Sequence, residues 1–169
     1  MNIRNDYANT QRQFNTALYL RLSKEDRRDM ESDSIANQRM LLHRYVENHP
    51  EFHFYKEYVD DGETGTNFNR PQFQQMMDDL DKGFINCIIC KDCSRFGRDY
   101  IECGAYIREF DDKDIRFIAI NDGFDTDTVE ASGQLSVSLS NIINDYYAKD
   151  ISRKVSSALR RFCPVAYIA

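Results

Sequence analysis

Four short apolar segments alternate with segments of helical periodicity, and this alternation limits the possible folds more than any other feature. The predicted strands cover residues 14–22, 52–59, 84–90 and 115–120. Between them, apolar residues recur every three or four positions behind Ser34, a helix-capping residue type, and behind Pro71, which suits the first turn of a helix. A third helix is predicted from about Asp99 to Phe110. This alternation predicts a three-layer α/β fold, in which helices flank both faces of a mostly parallel sheet.

The last part of the chain has a different pattern. From residue 129 to 162, apolar residues recur at helical spacing, far beyond the ~11–12 residues of an average helix. A helix of that length spans about 45 Å. A helix that lies only on its own sheet would explain the first half of this segment better than the second. The extra length of the helix therefore predicts a surface for a partner subunit or for DNA. The predicted organisation has four parts: a flexible N-terminal lead (1–13), an α/β domain (14–128), the long helix (129–162) and a tail (163–169).

The composition limits which partners the chain can bind by itself. The 169 residues include 22 Lys and Arg against 28 Asp and Glu, a formal net charge of −6. Since nonspecific affinity for DNA comes from phosphate neutralisation, this charge argues against a domain whose main task is to hold DNA. The net negative charge does not exclude chemistry on DNA, because a few arginines can converge on one phosphate inside an acidic domain. No apolar run approaches the roughly 18 residues of a membrane span, so no membrane partner is expected.

The five cysteines raise the question of a metal site. Cys87, Cys90 and Cys93 form two overlapping C-x-x-C spacings, which suggest zinc or a redox pair. Residues three apart on a strand point to opposite faces, however, and no histidine lies nearby in the sequence. We therefore favour a buried strand and expect no cofactor. The odd number of cysteines and the lack of a secretory signal indicate reduced thiols and a cytoplasmic location.

One serine and four arginines are predicted to leave the strands at the same edge of the sheet. Period two places Arg21 and Ser23 on one face at the end of the first strand. Arg70 follows the second strand, and Arg95 and Arg98 follow the third. Parallel sheets bind ligands beyond the carboxyl ends of their strands, so we expect these side chains to converge there. Taken alone, each of them is also typical of a solvated surface, and only their combination carries the hypothesis.

The residue types at this edge favour phosphoryl transfer to serine without a metal. Guanidinium groups bind phosphate oxygens bidentately and stay charged. The chain lacks a G-x-S-x-G elbow and a P-loop, and its three histidines lie away from Ser23 in the sequence, which argues against a Ser–His triad. Gln38 could donate a hydrogen bond over the same edge, although solvent exposure is the simpler interpretation. Asp92 could orient an arginine.

Three ordered motifs carry a family resemblance. They are Tyr19-x-Arg21-x-Ser23, the loop Asp60-x-Gly62-x-Thr64-Gly65 that leads to Arg70-Pro71, and Ser94-Arg95-Phe96-Gly97-Arg98-Asp99. With these motifs the chain resembles the serine site-specific recombinases of the resolvase/invertase family, and most of all the large serine recombinases of mobile elements and phages. The resemblance extends from about Phe14 to Arg161. Thr64 stands where many relatives have serine, and Phe96 where leucine is commoner.

The resemblance implies a fold, a reaction and partners. The fold would be a resolvase-like domain followed by a long oligomerisation helix. Ser23 would attack a phosphodiester of double-stranded DNA, form a 5′-phosphoserine bond and release a 3′-hydroxyl, and religation would reverse the step without ATP or metal. The phosphate would be held by Arg21, Arg70, Arg95 and Arg98, with Gln38 and Asp92 in support. The protein would be a homo-oligomer, a dimer at rest and a tetramer when active.

Two other functions stay open on the sequence alone. The chain could be a non-catalytic interaction domain of a mobile-element protein that oligomerises through residues 129–162. It could also be another phosphate enzyme on a doubly wound sheet, such as a small-molecule phosphatase, although a catalytic Asp pair and a Cys-x5-Arg loop are missing. Relatives in the resembling family continue into DNA-binding domains. We therefore expect the chain by itself to bind DNA poorly and to have little or no recombination activity.

Overall fold

A central five-stranded sheet organises the computed structural model, which describes residues 12–22, 34–61, 69–97 and 100–130 and six single positions between 144 and 156. The strands are β1 (Phe14–Leu22), β2 (Phe52–Asp61), β3 (Cys87–Cys90), β4 (Arg116–Ala119) and β5 (Phe124–Asp125). Their order in the sheet is β2-β1-β3-β4-β5. The first four strands are parallel and β5 is antiparallel to β4, so the predicted mostly parallel sheet is confirmed.

Five α-helices accompany the sheet within the described residues. They are α1 (Ile35–Glu47), α2 (Pro71–Asp81), α3 (Cys93–Phe96), α4 (Tyr100–Asp112) and α5 (Thr126–Glu130), and a 3-10 turn spans Ile120–Asp122. The Ser34 hydroxyl caps α1 by accepting the amide N–H of Asn37 at 3.2 Å. Gly83 follows α2 with a φ of 73°, a left-handed conformation that favours glycine. Both helix ends agree with the sequence prediction.

The sheet separates two buried clusters, and these define the three layers. On one side, Leu18 and Leu20 of β1 pack with Leu42 of α1. On the other side, Tyr19 packs with residues of α2 and α4, among them Phe73. Alternate residues of β1 therefore face opposite layers, as period two predicts. Full burial of a side chain such as Leu42 contributes ~1.5–3 kcal/mol to folding.

Several segments depart from the sequence prediction, among them the fourth strand, which covers Arg116–Ala119 rather than 115–120. The third strand begins at Cys87 rather than at residue 84, because Phe84 is 49% exposed and its amide N–H donates to the carbonyl of Asp79 in the turn that closes α2. The segment Cys93–Phe96, predicted as part of a polar loop, forms a short helix capped by Asp92. The sequence does not predict β5, because two residues are too few for period-two alternation to be recognised.

The predicted long helix over residues 129–162 lies mostly outside the described residues. Its first two residues belong to α5, and the single positions 144, 148, 151, 152, 155 and 156 are helical. Its extent and its oligomerisation role stay predictions. In the described part of the chain, no helix is long and apolar enough to cross a membrane.

A bulge in β2 decides which residues of that strand face α2. The ladder between β1 and β2 shifts register at Tyr55, which is the extra residue. Before the bulge, Phe54 faces α1, and its ring centre lies 5.0 Å from that of His43. After the bulge, Tyr58 and Asp60 face α2, whereas uninterrupted alternation would have placed them on the face of Phe54. The bulge therefore brings the Asp60 carboxylate to the start of α2.

Candidate active site

A side chain from α1 holds the end of β1. Gln38 is fully buried; it accepts a hydrogen bond from the amide N–H of Arg21 at 3.2 Å and donates one to the carbonyl of Arg21 at 3.0 Å. The pairing of β1 with β3 ends two residues earlier, at Tyr19, so the Gln38 amide takes the place of a strand partner. The interpretation of Gln38 as solvent-exposed is therefore wrong. Its contacts hold the backbone two residues before Ser23.

The guanidinium group of Arg21 reaches across to α3. Its Nε donates to the carbonyl of Arg95 at 3.0 Å, and its Nη2 donates to the carbonyl of Ser94 at 2.6 Å. The last carbonyls of a helix lack partners within the helix and need outside donors, particularly when they are buried. Arg21 is itself fully buried, and it connects the end of β1 to the helix that carries Arg95.

Arg70 makes a second connection to the same helix. Its Nη2 donates to the carbonyl of Phe96 at 2.7 Å, and its Nη1 donates to the phenol oxygen of Tyr19 at 2.6 Å. The guanidinium carbon lies 5.1 Å from the ring centre of Phe73, and the side chain is fully buried. Arg70 is therefore not the surface residue that a position before Pro71 commonly indicates.

Asp60 belongs to this cluster, although no role is predicted for it from the sequence. Its Oδ1 accepts the amide N–H of Gln72 at 3.1 Å, and its Oδ2 accepts that of Phe73 at 3.0 Å and the hydroxyl of Tyr19 at 2.9 Å. Asp60 thereby caps α2, whose own N-cap residue, Arg70, provides no side-chain capping bond. The Arg70-Pro71 sequence could have predicted such a cap, because arginine cannot accept a hydrogen bond from the first amides of α2. Those amides need an acceptor from elsewhere in the chain.

Asp92 and Arg95 lie together at α3. Asp92 caps the helix, since its Oδ1 accepts the amide N–H of Arg95 at 3.1 Å and also the hydroxyl of Ser94. The Nε of Arg95 lies 3.9 Å from the same Oδ1, and Arg95 is 6% exposed. This burial differs from the solvated basic turn that the motif alone would suggest.

The structure brings five of the seven predicted site residues together where β1 meets α3. These five are Arg21, Gln38, Arg70, Asp92 and Arg95. The other two, Ser23 and Arg98, lie outside the described residues. In the chain, Ser23 directly follows β1, and Arg98 directly follows the C-cap residue of α3.

Burial keeps the Tyr19 hydroxyl in this cluster protonated. Burial raises the pKa of Tyr19 well above its usual range; the charge of Arg70 opposes this shift, and that of Asp60 adds to it. The Tyr19 hydroxyl therefore stays protonated and remains a hydrogen-bond donor. Guanidinium groups stay charged in proteins, so the three arginines carry positive charge on side chains that are held in place, beside the carboxylates of Asp60 and Asp92.

The cysteine spacings lead to separate buried positions. Cys87 packs in the cluster on the α1 side of the sheet and Cys90 in the cluster on the α2 side, so the two thiols lie on opposite faces. Burial raises the pKa of both thiols, and of Cys93, above the usual range, whereas metals bind the thiolate. Among the described residues, no group of three or more His, Cys, Asp or Glu side chains could hold a metal ion.

Comparisons with known proteins point to one family. The sequence matches the family model described as "Resolvase, N terminal domain" over residues 16–162. The fold is similar to the N-terminal catalytic domain of TP901-1 integrase, with 24% identity and a TM-score of 0.65, over 80% of this chain and 97% of that chain. It is also similar to a resolvase family site-specific recombinase from Streptococcus pneumoniae, with 20% identity and a TM-score of 0.61, over 88% and 98% of the two chains. No curated protein matches the sequence.

Proposed function

The chain belongs to the family of the resolvase N-terminal domain and has the fold of a serine recombinase catalytic domain, and from this premise we propose that Ser23 breaks and rejoins the DNA backbone. In the proposed step, the hydroxyl oxygen of Ser23 bonds to the phosphorus of a phosphodiester, and the bond from phosphorus to the 3′ oxygen breaks. Ser23 gives up its proton, and the 3′ oxygen takes one up and leaves as a hydroxyl. Attack of a 3′-hydroxyl on the 5′-phosphoserine reverses the step, and the ester keeps the bond energy, so neither ATP nor a metal is required.

The observation that carries the proposal is the convergence of two buried arginines on the helix that bears a third. Arg21 and Arg70 donate to three consecutive carbonyls of α3, those of residues 94–96. This contact lies at the carboxyl edge of the sheet, where β1 leads directly to Ser23. Arginines that are held in place before a substrate arrives can stabilise the charge of a reacting phosphate without reorganisation. Burial of guanidinium groups costs folding free energy, and such a cost is typical of a functional site.

The remaining site residues have supporting roles in the proposal. Arg95 and Arg98 bind the non-bridging oxygens of the same phosphate, because planar forked donors match phosphate geometry. Gln38 holds the end of β1, from which the chain reaches Ser23. Asp92 orients Arg95 from the start of α3.

The proposed substrate is double-stranded DNA, and the proposed active form is a homo-oligomer. With a net charge of −6, the chain contributes little of the affinity for DNA, and other segments supply it. Residues 129–162 form the oligomerisation helix, with a dimer at rest and a tetramer during the reaction, and the location is the cytoplasm. We expect residues 1–169 alone to bind DNA poorly and to recombine it little or not at all. Robust site-specific recombination by these residues would contradict this division of labour.

A nicked suicide duplex that carries the recombination site tests the proposal. The chain within its full natural reading frame should form a covalent adduct, in which mass spectrometry finds Ser23 joined to a 5′-phosphate. Ser23→Ala should abolish this adduct. Ser34→Ala, which removes the hydroxyl that caps α1, is the matched control and should keep it. Site-specific DNA binding without any adduct would instead favour an interaction domain.

A further inference from the structure

We infer that Tyr19 and Asp60 are positioning residues, which hold the guanidinium group of Arg70 in the orientation that the reaction requires. The inference rests on the proposed function, since it concerns the arginine that would bind the phosphate. Neither Tyr19 nor Asp60 needs to touch the DNA. Their effect on the reaction passes through Arg70.

The three side chains form one continuous series of hydrogen bonds. Arg70 Nη1 donates to the Tyr19 hydroxyl oxygen at 2.6 Å, and that hydroxyl donates its own proton to Asp60 Oδ2 at 2.9 Å. Tyr19 and Arg70 are fully buried, and Asp60 is 3% exposed. Because bulk water does not reach these atoms, it cannot replace a partner that a mutation removes.

A tyrosine is suited to the middle position, because its hydroxyl accepts one hydrogen bond and donates another. Burial raises the pKa of Tyr19, so the hydroxyl keeps the proton that it donates. The ring of Tyr19 packs edge-on against Phe73, with 5.8 Å between ring centres. Phe73 belongs to α2, so the direction of the Tyr19 hydroxyl is set by core packing as well as by its hydrogen bonds.

Asp60 is held in turn by the start of α2. Its two carboxylate oxygens accept the amide N–H groups of Gln72 and Phe73, in addition to the Tyr19 hydroxyl. A carboxylate with three donors cannot rotate without giving up a bond. The bulge at Tyr55 places Asp60 on this face of the sheet. The orientation of Arg70 therefore depends on β2 and α2, and not on α3 alone.

The same fold contains a matched control pair. Tyr58, on the neighbouring strand, is fully buried and donates to Asp79 Oδ2 at 2.6 Å, and burial likewise raises its pKa. The neighbouring cation is Lys56, whose Nζ lies 3.9 Å from Asp79 Oδ2 and whose side chain is 40% exposed. Tyr58 pairs with Tyr19 in the ladder, but its hydroxyl binds Asp79. Tyr58→Phe therefore removes a comparable buried hydrogen bond from the same core cluster, one that does not involve Arg70.

The first test measures how fast the covalent adduct forms on the nicked suicide duplex. Tyr19→Phe should lower the rate constant at saturating DNA by ~10-fold to 100-fold, because a misplaced binding group lowers the rate of the chemical step. The DNA concentration for half-maximal rate should change less than about twofold, and Tyr58→Phe should change neither quantity by more than that. Equal losses in the two variants, or a loss confined to DNA affinity, would overturn the positioning role.

A double-mutant cycle tests whether the effect passes through Arg70. In an Arg70→Lys background, which lacks the forked donor, the loss caused by Tyr19→Phe should shrink to less than about threefold. An undiminished loss in that background would show that Tyr19 acts independently of Arg70, and the inference would fail.

A structural measurement separates the inference from the proposed function. In nitrogen-15 NMR spectra of the chain, the guanidinium signals of Arg70 should change in Tyr19→Phe through faster rotation of the group. They should stay unchanged in Tyr58→Phe. Arg70 signals that stay unchanged in Tyr19→Phe would overturn the positioning role and leave the proposed function standing. A wild-type protein that binds its site and forms no adduct would overturn the proposed function itself.

Discussion

Arg70 and Arg116 lie at opposite ends of the sheet in similar surroundings. The guanidinium carbon of Arg70 lies 5.1 Å from the ring centre of Phe73, and that of Arg116 lies 4.9 Å from the ring centre of Phe14. Each arginine also has a second ring within 6 Å. Contact with aromatic rings therefore does not distinguish the two.

The two arginines differ in the groups that accept their hydrogen bonds. Arg116 binds both carboxylate oxygens of Asp125, with distances of 3.0 Å from Nε and 2.7 Å from Nη2. Burial lowers the pKa of Arg116, but the hydrogen bond and charge of Asp125 outweigh burial and raise it. Arg70 donates to the hydroxyl oxygen of Tyr19 at 2.6 Å and to the carbonyl of Phe96 at 2.7 Å. The Asp125 carboxylate compensates the charge of Arg116, whereas the oxygens of Tyr19 and Phe96 fix the direction of the Arg70 guanidinium group.

The largest expected difference between Arg70 and Arg116 is in the rate of adduct formation. Arg70→Lys should lower the rate constant of adduct formation by about 100-fold to 1000-fold, the effect of removing one preorganised donor from a site that stabilises developing charge. Arg116→Lys should change this rate constant by less than about threefold. Both variants are compared per folded molecule on the nicked suicide duplex. Similar losses in the two would remove the functional distinction between the two ends of the sheet.

The second expected difference is in stability. Arg116→Ala should lower the free energy of unfolding by about 2–3 kcal/mol, because it leaves the Asp125 carboxylate, with 18% of its side chain exposed, without its bidentate partner. Urea unfolding followed by circular dichroism measures the change. Lys113→Ala, which removes a cation from an exposed pair with Asp81, is the control and should change the free energy of unfolding much less than Arg116→Ala does. An unfolding midpoint unchanged by Arg116→Ala would contradict the structural role of this ion pair.

A smaller effect on stability is expected at Asp60, which both caps α2 and binds Tyr19 of the candidate site. Asp60→Ala removes the acceptor of two α2 amides and of the buried Tyr19 hydroxyl, and should lower the free energy of unfolding by about 2 kcal/mol. Asp78→Ala, on the exposed face of the same helix, should change it by less than about 0.5 kcal/mol. Indistinguishable unfolding curves for the two variants would show that α2 does not depend on Asp60 for its cap.

The smallest effect concerns a third, more exposed arginine. Arg39, with 46% of its side chain exposed, donates to Glu57. Burial raises the pKa of Glu57, but hydrogen bonds from Arg39 and His43 outweigh burial, so the pKa is lowered. Glu57 therefore adds stability above the carboxyl pKa of the unfolded chain, near ~4.3, and the addition is lost as pH falls through the lower folded value.

Glu57→Gln tests this pH dependence. Between pH 5 and about pH 3, the wild-type free energy of unfolding should fall by roughly 0.5 kcal/mol more than that of Glu57→Gln, a small difference because the pair is partly exposed. Thermal unfolding at several pH values measures it. Parallel stability curves for the two proteins would show that the Arg39 and His43 contacts contribute nothing.

Much of the fold could be predicted, because apolar periodicity reports directly which face of an element is buried. The predicted bounds of β1 match the observed strand, and α1 and α2 begin at the predicted positions behind Ser34 and at Pro71. The third strand was predicted too long, since Phe84 is apolar yet belongs to the turn after α2. Composition cannot separate a strand residue from an apolar turn residue, because the hydrogen bonds that distinguish them come from other segments.

Less of the candidate site could be predicted, and the reason lies in β2. The alternation of its residues places Asp60 on the α1 side, and only the bulge at Tyr55 moves it to the α2 side. Gln38 and Arg70 are residue types that are mostly exposed, and nothing local in the sequence shows that their donors bind buried backbone.

By itself, the sequence determined that Arg21, Arg70 and Arg95 would approach one another, because parallel strands place their carboxyl ends at one edge of the sheet. It also carried the motifs of the resolvase family. Only the tertiary structure decided how these arginines are held, with Arg21 and Arg70 bound to the carbonyls of α3. It also decided that Arg70 donates to the Tyr19 hydroxyl, which in turn donates to Asp60. Those contacts join residues far apart in the chain, so they depend on register, on a bulge and on packing, which local patterns do not encode.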